Sequence, residues 1–145
     1  MIRQGDGLSN KRHTISITYP DDFEKLFNRI ITSSGMPAIS SDDMFAIELA
    51  LGEAVSNALI HGNKKSPDKP VNIEYGYNDG VFDITITDMG DGFRINDVAD
   101  PVQDDNLTKD HGRGVMLMEH YMDEVHFNKK GNQVRMVKRI TPINN

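Results

Sequence analysis

Apolar residues change their spacing several times along the chain, and each change marks an element. Thr14-Ile15-Ser16-Ile17-Thr18-Tyr19 alternates with period two and predicts a half-buried strand. Pro20-Asp21-Asp22 then opens a helix, with acids at its positive end. Phe23, Leu26, Phe27, Ile30 and Ile31 follow as one apolar stripe, and Ser33-Ser34-Gly35-Met36-Pro37 stops it. Ser40-Ser41-Asp42-Asp43 begins a second helix that runs to about His61-Gly62. After a polar loop (63–70), Val71 to Tyr77 and Val81 to Asp88 read as strands joined at Asn78-Asp79-Gly80, where Asp-Gly tolerates positive φ. Residues 89–112 are rich in glycine and aspartate, a loop of a length that is usually functional or mobile. A short helix from Gly114 to Met122 precedes a hairpin of Glu124–Asn128 and Gln133–Ile140 over Lys130-Gly131-Asn132. The order β-α-α-β-β-loop-α-β-β predicts an α+β fold: a two-layer α/β sandwich, its sheet mixed but mostly antiparallel, with helices on one face.

The second predicted helix is apolar on two sides. Met44, Ile47, Leu51, Val55, Ala58 and Leu59 form one arc; Ala46, Leu49, Ala50 and Ile60 lie opposite, and among them stand Glu53 and Asn57. Both faces are therefore expected to be covered, which aims an acid and an amide into one enclosed space. A lone buried carboxylate costs several kcal/mol unless it is paired or meets a cation. Two readings follow: a hydrogen-bonded structural Glu tied to an arginine, or a site for a metal and phosphate, with an amide oxygen on Mg²⁺.

Two glycine-rich segments add to this. Asp88-Met89-Gly90-Asp91-Gly92-Phe93 falls at a strand end, where a carboxylate can accept from an exocyclic amine such as adenine's and repel the oxygen guanine carries there. A plain strand-to-loop turn is the alternative. His111-Gly112-Arg113-Gly114-Val115 reads as the approach to a helix start, whose free N–H groups favour an anion; Arg113 can add a charged fork or face solvent. His61 reads as helix-end packing beside the site, Met116, Leu117, Met118 and Met122 as core, and Lys64 and Lys65 as solvated surface.

Composition narrows the field. With 145 residues the chain is the size of one domain: a flexible N-terminus over 1–11, then a single domain over 12–145. It contains no cysteine, which excludes disulfides, thiolate metal sites and a cysteine nucleophile. Sixteen Lys and Arg against 22 Asp and Glu give a net charge of −6, so broad attraction to nucleic acid or anionic membrane is disfavoured. The first residues have no apolar leader pattern, and no apolar run approaches the ~18 residues of a membrane span. Neither a P-loop nor the H-R-D and D-F-G motifs of eukaryotic-type kinases is present.

Taken together, three segments resemble the boxes of the GHKL ATPase/kinase superfamily: Glu53 to Gly62 its N box, Asp88 to Phe93 its G1 box, and Gly112-Arg113-Gly114 its G2 box. The E-x-x-x-N-A-x-x-H-G run, the stretch from Asp100-Pro101 to Asn106-Leu107, and Met118 to Val125 are most similar to the bacterial anti-sigma-factor serine/threonine kinases. That resemblance implies a Bergerat-type ATP fold with residues 93–111 as a lid. It implies Asn57 on Mg²⁺, Asp88 on the adenine amine, Gly90, Gly92, Gly112 and Gly114 along the nucleotide with Arg113 at its phosphates, and Glu53 as the catalytic base. It also implies a cytoplasmic homodimer that phosphorylates an anti-anti-sigma partner of the STAS type, or holds a sigma factor. A non-catalytic ATP-binding switch is the competing expectation, and an ATP hydrolase of the chaperone or topoisomerase kind a more remote one. Asn132 stands where the family often has threonine after the last hairpin's glycine. No helix pair carrying a phosphoacceptor histidine is seen, so a complete sensor histidine kinase is not expected.

Overall fold

The computed structural model describes residues 11–91 and 105–143, and within 105–111 the backbone alone. The predicted flexible N-terminus, apart from Lys11, lies outside the described residues, as do Gly92 and most of the predicted lid.

Strand β1 (His13–Ile17) leads into helix α1 (Phe23–Ser33), capped by Asp22, whose side chain accepts from the Glu24 N–H at 2.9 Å. Leu26, Phe27 and Ile30 are the buried part of its stripe. Ser40 caps α2 (Ser41–Ser56) by accepting from the Asp43 N–H at 3.1 Å. The helix continues as a π-helical turn over Asn57–Gly62, a distortion frequent at functional sites. Strands β2 (Val71–Asn78) and β3 (Val81–Thr87) follow, then α3 (Asp105–Tyr121), β4 (Glu124–Phe127) and β5 (Gln133–Arg139). Asp79 (φ +53°) and Gly80 (φ +81°) both take the left-handed conformation that a two-residue hairpin requires.

The five strands lie in the order β1-β2-β3-β5-β4, and every neighbouring pair is antiparallel. The expected mixed sheet is thus corrected among the described residues. Strand β4 runs in the same direction as β3, but its hairpin partner β5 inserts between them. Register stacks apolar rows across one face: Ile15, Ile73, Ile86 and Val134 in one, Tyr75, Ile84 and Met136 in the next. These rows join Ile47, Leu51, Val55 and Leu59 of α2 in one buried cluster, each side chain contributing about 1.5–3 kcal/mol on burial. The other face carries Glu74, Asp83 and Arg135, with Arg12 bonded to Asp83 at 2.6 Å. Helix α2 with its π turn (Ser41–Gly62) is long and apolar enough, at mean hydropathy 1.2, to pass as a membrane span by composition; here it is the central helix of the fold. The second apolar side expected of it is real: Ala46, Ala50 and Ala54 are buried, and α2 packs along α3.

Three expectations are corrected. Helix α3 begins at Asp105, not Gly114, so Gly112-Arg113-Gly114 lies inside a helix and offers no free N-terminal amides. Each glycine costs a helix interior about 1 kcal/mol, but packing overrides propensity here. A Cβ at Gly114 would stand 3.1 Å from Glu53 Oε1 and 3.3 Å from Asn57 Nδ2, a tight fit that glycine relieves where the two helices meet. Met116 is 70% exposed rather than core, because Val115, Met118 and Met122 at i, i+3 and i+7 take the inner face. Ile60 is likewise exposed and lines the hollow beside α1.

Candidate functional site

Helix α2, the end of β3, α3 and the β4–β5 hairpin converge on a small open cleft. Its apolar walls come from Ala58, Ile86, Met118 and Val134, and its polar groups from Asn57, Asp88 and Asn132. A larger hollow of about 220 Å³ lies between the start of α1 and α2, against Tyr19, Phe23 and Leu59. The acids at its rim are already engaged, Asp21 by the Thr18 N–H and Asp22 by the helix cap. The small cleft is where unspent polar chemistry collects.

Asn57 sits where α2 passes into its π turn. Its Nδ2 is buried with no hydrogen-bond partner, an arrangement that costs about 1–3 kcal/mol when nothing compensates. Glu53, one turn earlier, is half-buried beside Gly114 and does not line the cleft itself. Arg113 is exposed.

Asp88 follows directly on β3. Its N–H donates to the Asn132 carbonyl at 2.9 Å, and its own carbonyl accepts from Asn132 Nδ2 at 3.0 Å. Its Oδ1 accepts from the Gly90 N–H at 2.7 Å. Burial raises the Asp88 pKa above the ordinary carboxylate value, against the opposing pull of the Gly90 N–H and the charge of Lys130. Gly62 and Gly90 are glycine because the backbones touch: a Cβ on Gly62 would overlap the Asp88 carboxylate, and one on Gly90 would overlap the Gly62 carbonyl. The structure therefore brings Asn57, Asp88 and Gly90 around one end of α2, with Glu53 and Gly114 at the adjoining helix contact. Gly92 lies outside the described residues.

Sequence reasoning missed Asn63. It is 1% exposed, accepts from the Met89 N–H at 2.7 Å and donates from Nδ2 to the Lys69 and Pro70 carbonyls at 2.7 and 3.2 Å. The one available signal was an asparagine just after the glycine that ends the helix. The role of Asn132 as a clasp on Asp88 was also unseen, because it joins positions 44 residues apart.

This donor set fits a nucleotide with its magnesium. Mg²⁺ takes few protein oxygens and leaves the rest to phosphate and water, and no cluster of three His or acidic residues stands among the described ones. A carboxamide turned by 180° exchanges oxygen for nitrogen within the same volume, so the unpartnered end of Asn57 can present the required oxygen.

Comparison with known proteins gives the site its class. The family model described as the histidine kinase-like ATPase domain matches residues 25–138, and the chain belongs to that family, a branch of the GHKL superfamily. Among individual relatives it is similar to anti-sigma F factors, placing it close to the anti-sigma-factor kinases. It is 42% identical to that of Halalkalibacterium halodurans over 88 residues, 58% of this chain and 59% of that protein, so the match spans less than two thirds of that relative. Identity is 36% to that of Geobacillus kaustophilus, over 68% of this chain and 71% of the relative. It is 30% to that of Oceanobacillus iheyensis, over 79% and 84%.

Proposed function

We propose that the chain is an anti-sigma-factor protein kinase. It binds Mg·ATP in the cleft and transfers the γ-phosphoryl group to a serine or threonine hydroxyl of an anti-anti-sigma partner of the STAS type. In its other state it holds a sigma factor, as the name of its relatives, anti-sigma F factors, suggests. We propose further that it works as a cytoplasmic homodimer. The observation that carries the reading is the buried, unpartnered Nδ2 of Asn57, one helical turn from Glu53 and lining the same cleft as Asp88.

Asp88 accepts a hydrogen bond from the adenine amine, and its lone pairs face the carbonyl oxygen of a guanine unfavourably. Gly90 keeps the backbone close to the base, and Gly92 is assigned to the nucleotide by its place in the G1 box alone. Asn57 holds Mg²⁺, whose chemistry when bound is to neutralise charge on the phosphate oxygens. Gly112 and Gly114 let α3 run beside the nucleotide without side chains in its path, and Arg113 supplies a positive charge toward its phosphates. Glu53 takes the proton of the acceptor hydroxyl as its oxygen bonds to the γ-phosphorus and the bond to the β–γ bridging oxygen breaks, releasing ADP.

The test is incubation with Mg·ATP and the STAS partner, following phosphate onto the partner. Transfer that disappears in Glu53→Gln supports the proposal. Bound nucleotide without transfer contradicts it and leaves a switch that acts by binding alone.

A further inference from the structure

Asn63 is one of two buried polar or charged side chains among the described residues, and every polar atom of its carboxamide is engaged. Such a group is not needed to fill space, because an apolar side chain would fill it without a desolvation cost. What Asn63 does hold is specific. Its oxygen takes the N–H of Met89, the residue directly after Asp88, and its nitrogen anchors that oxygen to the Lys69–Pro70 backbone. Its own N–H donates to the Ala58 carbonyl at 2.8 Å, which fixes it to the end of the π turn. Asn132 secures the other side of the same short segment through the N–H and carbonyl of Asp88. Two asparagines from different loops thus clamp consecutive peptide groups.

Between those clamps the Asp88 carboxylate lies against Gly62, the immediate neighbour of Asn63. With the backbone fixed at both sides and Oδ1 accepting from the Gly90 N–H at 2.7 Å, Asp88 is held where it lines the cleft. We infer that Asn63 is a positioning residue for base selection: by holding the Met89 amide it sets where the Asp88 carboxylate meets the nucleobase, and so governs the preference for adenine over guanine nucleotides. The inference rests on the proposed role of Asp88 at the base and adds to it a residue that touches no nucleotide.

The test is calorimetric titration with Mg·ATP and Mg·GTP of the wild-type chain, Asn63→Ala, Asp88→Ala and the double variant, each checked for a cooperative melt. Wild type prefers ATP, Asp88→Ala brings the ATP/GTP ratio to about one, and Asn63→Ala lowers it by about tenfold, the weight of one hydrogen bond to a charged site's scaffold. In the double variant, Asn63→Ala changes the ratio no further, because it acts through Asp88. If the alanine variant does not fold, Asn63→Ser, whose hydroxyl is too short to hold the Met89 amide, carries the same expectation. A wild-type ratio in Asn63→Ala or Asn63→Ser, including equal weakening for both nucleotides, overturns the inference and leaves the role of Asp88 standing. A ratio in Asp88→Ala equal to that of wild type overturns both.

Discussion

The carboxylate of Asp88 occupies the space in which a side chain at Gly62 would stand, its Oδ1 only 2.6 Å from where a Cβ would be. The end of α2 and the end of β3 are therefore one structural unit, although 26 positions separate Met89 from the Asn63 that ties it down.

Replacing Gly62 with alanine forces one of the two to move. The expected cost is about 1–3 kcal/mol of stability, as for other overpacked sites, with at least about tenfold weaker ATP binding. Thermal melting and nucleotide titration of Gly62→Ala check both; unchanged binding would separate Gly62 from the site.

Asn57→Ala should behave in the opposite manner. Its Nδ2 makes no hydrogen bond that the fold would lose, so stability should change by less than about 1 kcal/mol. Magnesium-dependent nucleotide binding should disappear. A severe loss of stability without nucleotide would show the amide to be structural.

Glu53→Gln keeps the shape of the side chain and removes its charge. Phosphate transfer should fall by about 10²–10⁴, the usual weight of a general base, while ATP affinity stays within about twofold. Rapid-quench transfer assays beside equilibrium binding resolve the two effects.

Asp88 gives a pH signature with two opposite signs. Burial raises its native pKa, so between the ordinary carboxylate value and the raised one the native state holds more protons than the unfolded state. The stability it contributes is full below the unfolded value and is lost as pH rises through the native one. ATP affinity should move the other way and rise over the same window, because the ionised form accepts from adenine. Melting temperatures and ATP titrations across that window, with Asp88→Asn as the reference that lacks both trends, check the pair.

Much of this was legible in the sequence. The alternation of Thr14 to Tyr19, the cap at Asp22, the Asp79-Gly80 turn and the doubly apolar second helix are local signals, and local physics decides them. The E-x-x-x-N run placed Glu53 and Asn57 together because four residues make roughly one helical turn. Where reading failed, tertiary contact had overruled local preference. Gly112 and Gly114 look like loop residues but sit inside α3, where Gly114 packs against Glu53 and Asn57 of the neighbouring helix. The antiparallel insertion of β5 beside β3, and the hold of Asn63 and Asn132 on either side of Asp88, depend on chain segments far apart in sequence. Periodicity carries no record of such contacts.

The central claim is that the cleft between Asn57 and Asp88 grips magnesium and an adenine nucleotide, and a melting scan with Mg·ATP against Mg·GTP measures it most directly. With ATP at about 100 times its dissociation constant the native state should gain about 2.7 kcal/mol, and much less with GTP. A melting temperature unmoved by ATP, or moved equally by GTP, would contradict the account.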